Sequence, residues 1–296
     1  MIKRFLPVAV FLFVIAGTVE AQKVSGNDLF AWVQGIEGRS PEGRREFVKS
    51  ELKTLGVKFR TMRFDTSLGQ GERTRKVSGE NVLVRLGKGP KHIVVGAHFD
   101  AVPNSPGAND NGGGVAVVLG LIKAMQKHPW NYSIDFCFFD QEEVGLIGSK
   151  FFVKRYPERE KHLAMINLDV QGTGEEVYVG PVGGGDDDRI MPIVRDAARK
   201  TGFPFQAREF YPPSDWGSFA DAKLENISIS IVPKGDADLL DEALRNQWKM
   251  DSTRVPQVMK VMHTPEDKSV HVSPKALSMS FEFTRTVLLL LNQSKN

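Results

Sequence analysis

The sequence predicts a three-layer α/β/α domain built on a mostly parallel mixed sheet. Short, almost continuously apolar segments, such as residues 93–95 and 134–139, recur along the chain, as in strands covered on both faces. Segments with apolar residues at helical spacing separate them, and this alternation is typical of parallel sheets. The length of 296 residues and the hydrophobic fraction of 41% suit one large domain, which we place at residues 22–296.

The N-terminal part of this domain is predicted to contain helices followed by strands. Residues 28–56 show helical spacing with a break, and Ser40 before Pro41 is typical of a helix start. Strands are expected at residues 57–64, 81–86 and 92–98, a polar loop at 66–79, and a helix at 112–127.

The remainder of the chain continues the alternation. Strands are expected at residues 132–139, 163–170, 176–179, 204–210 and 227–232, and helices at 146–155, 188–201 and 273–291. Residues 234–262 depart from this pattern, because about thirty residues of mixed charge follow a core strand. We interpret them as an insertion that forms one amphipathic helix, with Leu239, Leu240, Leu244 and Trp248 at helical spacing.

Residues 1–21 are predicted to be an export signal. Lys3 and Arg4 precede 13 apolar residues, and small residues before Gln22 suit cleavage. The apolar run is shorter than the roughly 20 residues of a membrane span, so we expect no stable membrane anchor and a periplasmic or extracellular location.

Composition narrows the classes of partner. The formal net charge is +3 and no block of like charge is present, so we expect no nucleic-acid partner. Cys137 is the single cysteine, which excludes an intramolecular disulfide.

The segment of residues 93–114 is the most informative in the chain. His98 and Asp100 end a buried strand and lie two residues apart, so extended backbone directs both to the same side. Ligands of open α/β sheets bind at the carboxyl ends of strands, where this pair lies. A second carboxylate, Asp110, follows a loop containing proline and glycine and precedes a glycine-rich helix start.

Other predicted strands end in residues of the same kind. Glu142 and Glu143 follow one strand, Asp169 ends the next, and His263 follows the insertion. Imidazole and carboxylate ligands suit zinc, with cobalt or manganese as substitutes. The set is larger than one zinc with an open position requires, and it suits two metal ions that share a carboxylate.

Five segments carry a resemblance to a known family. HFD, SPGANDNGGG, DQEEVGLIGS, INLD and HTPEDK resemble, in order and spacing, the motifs of bacterial leucyl-aminopeptidase-type di-zinc exopeptidases. That family also contains glutamate carboxypeptidase and glutaminyl cyclases. The resemblance extends from about residue 40 to the C-terminus and implies the zinc-exopeptidase (phosphorylase/hydrolase-like) fold, a peptide substrate and two zinc ions per chain.

The resemblance also implies a role for each site residue. The implied ligands are His98 and Asp169 for one zinc, Glu143 and His263 for the other, and Asp110 as the bridge between them. Glu142 matches the general base, and Asp100 matches the carboxylate that orients the ring of His98.

Several functions remain open on the sequence alone. The leading hypothesis is an exported aminopeptidase that hydrolyses the N-terminal peptide bond. A glutaminyl cyclase, which uses one zinc, is the main alternative. A metallo-carboxypeptidase would need a cationic pocket, for which Arg195, Arg199 and Arg208 are candidates. A binding domain without catalysis has no reason to keep all these ligands together with Glu142.

One segment departs from the family pattern. The family segment written S-D-H-x-x-F reads SDWGSF here, so Trp216 stands where the family has histidine. This departure bears on substrate preference. We expect Tyr211, Trp216 and Phe219 to line an apolar side-chain pocket.

Overall fold

The computed structural model describes residues 22–69, 74–156, 159–183 and 189–294. The predicted export signal lies outside these residues. The described chain forms an eight-stranded mixed sheet between two layers of helices, which is the α/β fold expected from the sequence.

The four central strands of the sheet are parallel, and the strand next to them on each side pairs antiparallel with this group. The strands are β1 (Arg60–Leu68), β2 (Arg75–Leu86), β3 (His92–His98), β4 (Ser133–Phe139), β5 (His162–Leu168), β6 (Glu176–Gly180), β7 (Phe205–Ala207) and β8 (Asn226–Val232). Their spatial order in the sheet is β1-β2-β4-β3-β5-β8-β6-β7. Because β4, β3, β5 and β8 are mutually parallel, their carboxyl ends lie along one edge of the sheet.

The helices cover both faces of this sheet. They are α1 (Gly26–Ile36), α2 (Pro41–Thr54), α3 (Gly114–Met125), α4 (Ile147–Lys154), α5 (Met191–Thr201), α6 (Trp216–Asp221), α7 (Asp236–Arg245) and α8 (Pro274–Gln293). Helices α1, α2, α3, α5 and α8 share the larger hydrophobic core on one face, and α4 and α6 pack on the other. Among the described helices, none is both long and apolar enough to span a membrane.

Strand β3 shows why the sequence forms this core. All seven of its residues are buried, as expected of a strand covered on both faces. Ile93 and Val95 pack into the larger core, while Val94 packs into the core under α4 and α6. This alternation places His98, at the carboxyl tip of the strand, on the same side as Val94.

Two expectations about secondary structure were wrong. Residues 66–79 are not one loop, because β1 extends to Leu68 and pairs with β2 from Arg75 onward. The insertion is not one helix through Trp248: α7 ends at Arg245, and Gln247 and Trp248 have left-handed φ values of 51° and 63°. Left-handed residues cannot continue a right-handed helix, so the chain turns there.

Candidate metal centre

The site lies at the carboxyl ends of the central strands. His98 ends β3, the pair Glu142 and Glu143 follows β4, and Asp169 follows β5. His263 comes from the segment between the insertion and α8. The topology therefore brings together residues that are up to 165 positions apart in sequence.

Asp110 occupies the centre of this group. Its Oδ1 lies 3.2 Å from His98 Nε2, and its Oδ2 lies 2.9 Å from His263 Nε2. The two oxygens thus face different histidines, as a carboxylate that bridges two cations would. The side chain of Asp169 approaches His98 Nε2 to 3.5 Å, and that of Glu143 approaches His263 Nε2 to 3.2 Å.

Several polar atoms in this cluster are buried without a hydrogen-bond partner in the described structure. They are His98 Nε2, Glu143 Oε1 and Asp169 Oδ1. Buried polar atoms are normally satisfied, so an unsatisfied set of nitrogen and oxygen atoms needs an explanation. Potential ligand atoms of His98, Asp110 and Glu143 lie within 4.8 Å of one another, as do those of His98, Glu142 and Asp169. This donor set fits divalent zinc.

Electrostatics point in the same direction. Burial alone would raise the pKa of Asp110, but hydrogen bonds with His263 and His98 outweigh it and hold the pKa below its usual value. Burial raises the pKa of Glu142 to about 10, with His98 opposing and the carboxylates of Asp215 and Asp169 adding to the rise. Without cations, the Glu142 carboxyl is therefore costly to ionise.

Asp100 contacts both the turn that carries Glu142 and Glu143 and the ring of His98. Its carboxylate accepts hydrogen bonds from the backbone N–H groups of Glu142 and Glu143, at 3.0 and 3.1 Å. It also lies 3.5 Å from His98 Nδ1, and that nitrogen is 3.2 Å from the backbone oxygen of Asp100. The sequence predicted contact with the histidine ring but not the bonds to the Glu142–Glu143 turn, which show that Asp100 also fixes that turn.

Glycine allows the helix after Asp110 to approach the strands closely. A Cβ atom on Gly114 would lie 2.2 Å from Asn111 Oδ1 and 2.6 Å from the backbone oxygen of Leu168. Asn111 in turn donates to that same oxygen at 2.8 Å and accepts from the N–H of Gly114 at 2.9 Å. The glycine-rich segment thus ties the Asp110 loop to the end of β5.

Three residues near the site were not predicted as site residues, although two of them, Asp215 and Asp267, lie in the SDWGSF and HTPEDK segments. Asp267 is buried and its carboxylate accepts from the N–H groups of Asn109 and Asp110, at 2.8 and 3.1 Å. Arg44 is buried beneath the loop that leads to Asp110. Asp215 is fully buried, neither of its carboxylate oxygens has a hydrogen-bond partner in the described structure, and its pKa is raised to about 7 by burial.

An apolar cavity of about 480 Å³ opens beside the candidate ligands. Its apolar wall includes Leu240, Trp248, Val258, Met259 and Met262 from the insertion, and also Val170, Tyr178, Tyr211 and Val232. The insertion is therefore part of the pocket.

The expected aromatic lining was only partly right. Tyr211 lines the cavity, but Phe219 is fully buried and packs against Phe152 on the other side of the sheet. Trp216 does not line the cavity either, and its indole N–H donates to the backbone oxygen of Pro212 at 2.8 Å. It thus braces the loop that carries Tyr211.

Comparisons with known proteins agree on one family. The model of "Peptidase family M28" matches residues 81–288. Aminopeptidase YwaD of Bacillus subtilis (strain 168) is 30% identical over 216 residues, which are 70% of this chain and 43% of that protein. Leucine aminopeptidase 2 of Trichophyton rubrum is 31% identical over 47% of this chain and 31% of its own length. The chain spans less than half the length of these curated relatives.

Solved structures show the same fold. BSAP, a zinc aminopeptidase from Bacillus subtilis, superposes with a TM-score of 0.73 at 16% identity, over 92% of this chain and 96% of that one. A glutaminyl cyclase from an Acidobacteriales bacterium gives a TM-score of 0.72 at 19% identity, over 98% and 99%. With the family match over residues 81–288, these findings show that the chain belongs to peptidase family M28.

Proposed function

We propose that the protein is a zinc-dependent aminopeptidase that hydrolyses the N-terminal peptide bond of peptides. The observation that carries this proposal is the bridging position of Asp110 between His98 and His263, at 3.2 and 2.9 Å. Family membership and similarity to two proteins named as aminopeptidases support the reaction class.

Two zinc ions are proposed, and the residues present fit them. His98 and Asp169 would hold one ion, Glu143 and His263 the other, and Asp110 both. When bound, such ions polarise a carbonyl oxygen and lower the pKa of water towards about 7. The chain's own residues must then orient the peptide, move a proton and accept the N-terminal side chain.

Glu142 is the proposed proton carrier. Its carboxylate lies at the same end of β4 as Glu143, and an atom of it is within 4.8 Å of ligand atoms of His98 and Asp169. A carboxylate there can take a proton from attacking water and return it to the leaving amine. Asp100 supports this step, because its bond to the N–H of Glu142 fixes the turn.

The pocket suggests which N-terminal residues are accepted. Its wall contains leucine, valine, methionine and aromatic side chains, so we propose that it accepts an apolar side chain. Among the described residues that line the cavity there is no lysine or arginine. Arg208 instead pairs with Asp238, and Arg199 with Asp196. A carboxypeptidase that recognises a substrate carboxylate is therefore disfavoured.

A substrate panel with metal analysis tests the proposal. The purified chain is incubated with aminoacyl arylamides and with a peptide that begins with glutamine, before and after chelation. Release of the first residue, lost on chelation and restored by zinc, is the expected result. Cyclisation of the glutamine peptide without hydrolysis would instead favour a glutaminyl cyclase, which is the second candidate.

Glu142→Gln provides the matched test of the proton carrier. We expect it to retain zinc and lose at least about a hundredfold in kcat, because general acid–base catalysis contributes about 10²–10⁴-fold. Glu266→Gln is the control, since Glu266 is exposed and pairs only with Lys268 among its salt bridges in the described structure. Full activity of Glu142→Gln would refute the assigned role.

Export is proposed as well. Residues 1–21 have the charged, apolar and small-residue sections of a cleavable signal. Expression of the full chain in a bacterium, followed by mass spectrometry, should show a product that begins at Gln22 outside the cytoplasm. An intact N-terminus in the cytoplasmic fraction would contradict this.

A further inference from the structure

Arg44 is a charged residue in an unusual place. It lies in the first turns of α2, and its side chain is 1% exposed. Its hydrogen bonds within the described structure go to main-chain carbonyl oxygens and not to a carboxylate. Burial lowers the pKa of the guanidinium to about 10, which leaves it charged at neutral pH. Because burying a charged side chain costs free energy, a buried arginine at this position needs an explanation.

The guanidinium joins the two ends of one loop. Its Nε donates to the carbonyl of Phe99, which lies between His98 and Asp100. Its Nη2 donates to the carbonyl of Gly107 at 3.0 Å, where the turn that carries Asp110 begins. Its Nη1 donates to the carbonyl oxygen of Pro106 at 3.1 Å. A single planar group therefore sets the separation between the histidine strand and the bridging carboxylate.

Gly107 is adapted to this contact. It has a left-handed φ of 65°, and a Cβ atom there would lie 2.9 Å from Arg44 Nη1 and 2.7 Å from Ala101 Cβ. Any larger residue would push the guanidinium away from the loop. The loop backbone and the arginine are therefore fitted to each other.

The positive charge alone does not explain the arrangement. Asp100, Asp110, Asp267 and Glu143 are near enough to raise the pKa of Arg44. A fixed cation behind them offsets their mutual repulsion, but it also repels divalent cations at the same site. Lysine would supply the same charge, but it cannot reproduce the fixed fork of N–H donors.

We propose that Arg44 is a positioning residue of the metal centre, whose guanidinium fork holds the loop of residues 99–107 so that His98 and Asp110 meet at ligand distance. The proposal rests on the proposed function for the identity of the metal. Arg44 lies on a helix upstream of residues 81–288, so the match to the family does not assign it this role.

The test measures zinc affinity of metal-free protein by competition with a chromophoric chelator. Arg44→Lys keeps the charge but not the fork, and Arg44→Met removes both. We expect each to weaken zinc binding by about ten- to a hundredfold, the effect typical of residues that support metal ligands. Amides of the 99–107 loop should also lose protection from hydrogen exchange in both variants.

Arg85→Lys is the matched control. Arg85 forms an ion pair with Asp135, four residues before the end of β4, away from the ligands. Gly107→Ala is a second perturbation that leaves Arg44 in place and should weaken zinc binding in the same direction. It remains informative if an Arg44 variant fails to fold.

Two results would overturn the proposal. One is wild-type zinc affinity in Arg44→Lys, because the charge would then suffice. The other is that an Arg44 variant loses no more zinc affinity than Arg85→Lys does when the two variants have lost the same thermal stability. The affinity is measured without substrate, so a chain that binds zinc but cleaves no peptide would refute the proposed function and leave this test intact.

Discussion

Replacing Asp100 by asparagine tests how the site is held together. The carboxylate accepts N–H bonds from both Glu142 and Glu143 and faces Nδ1 of His98. Asparagine has one acceptor oxygen, so one of the two N–H groups would face an NH₂ group instead. The turn that carries the proposed base and one ligand should then shift.

The structure sets the size of this effect. The two bonds, at 3.0 and 3.1 Å, have a charged acceptor, and such bonds contribute about 1.5–3 kcal/mol each. Losing one bond should lower the free energy of unfolding by about that amount. If the same free energy is lost from the stabilisation of the transition state because Glu142 and Glu143 are displaced, kcat/KM should fall by about ten- to a hundredfold. The reason is that about 1.4 kcal/mol corresponds to a factor of ten.

The assay compares kcat/KM on a leucyl arylamide with zinc content after dialysis against a weak chelator. Asp65→Asn is the control, because Asp65 lies in the β1–β2 hairpin and accepts from the hydroxyl of exposed Ser78 at 2.7 Å. It should change neither quantity. Unchanged activity and zinc content in Asp100→Asn would show that these two bonds do not fix the site.

Three further predictions follow from particular contacts. Gly114→Ala should reduce zinc content and lower the unfolding free energy by about 1–3 kcal/mol, because its Cβ would clash with Asn111; calorimetry and metal analysis check this. Trp248→Ala should raise KM for leucyl and phenylalanyl arylamides more than for alanyl arylamide, because the indole lines the apolar cavity; equal effects on all three would contradict it. The free energy of unfolding of the metal-free protein should fall as pH rises from about 4 to about 6, because burial raises the pKa of Asp267 to about 6. In urea unfolding, this free energy should depend less on pH in Asp267→Asn. An unchanged dependence on pH would contradict the prediction.

Much of the fold could be predicted from apolar patterning. Strand β3 has the bounds expected from sequence, because a strand buried on both faces has a continuous apolar signal. The exposed end of the β1–β2 hairpin, residues 66–79, lacks that signal and was predicted as a loop. The end of α7 depends on left-handed backbone at Gln247 and Trp248, which neither residue type indicates.

The candidate metal ligands could be predicted because histidine and carboxylate residues follow the ends of the predicted strands. The seven predicted residues come together, and their roles remain predictions for the experiments above. The burial of the charged residues that support the site was not predictable, because buried and exposed charged residues look alike in a sequence. Arg44 and Arg45 are adjacent arginines, yet one is buried under the loop and the other is partly exposed beside Asp140. Asp267 likewise follows exposed Glu266.

A crystal structure of the zinc-loaded protein, with anomalous diffraction at the zinc edge, would show directly whether Asp110 bridges two zinc ions. Two peaks about 3.5–4 Å apart are expected, with one oxygen of Asp110 directed at each. His98 and Asp169 should contact one peak, and Glu143 and His263 the other. A single peak, or two peaks not bridged by Asp110, would contradict the account.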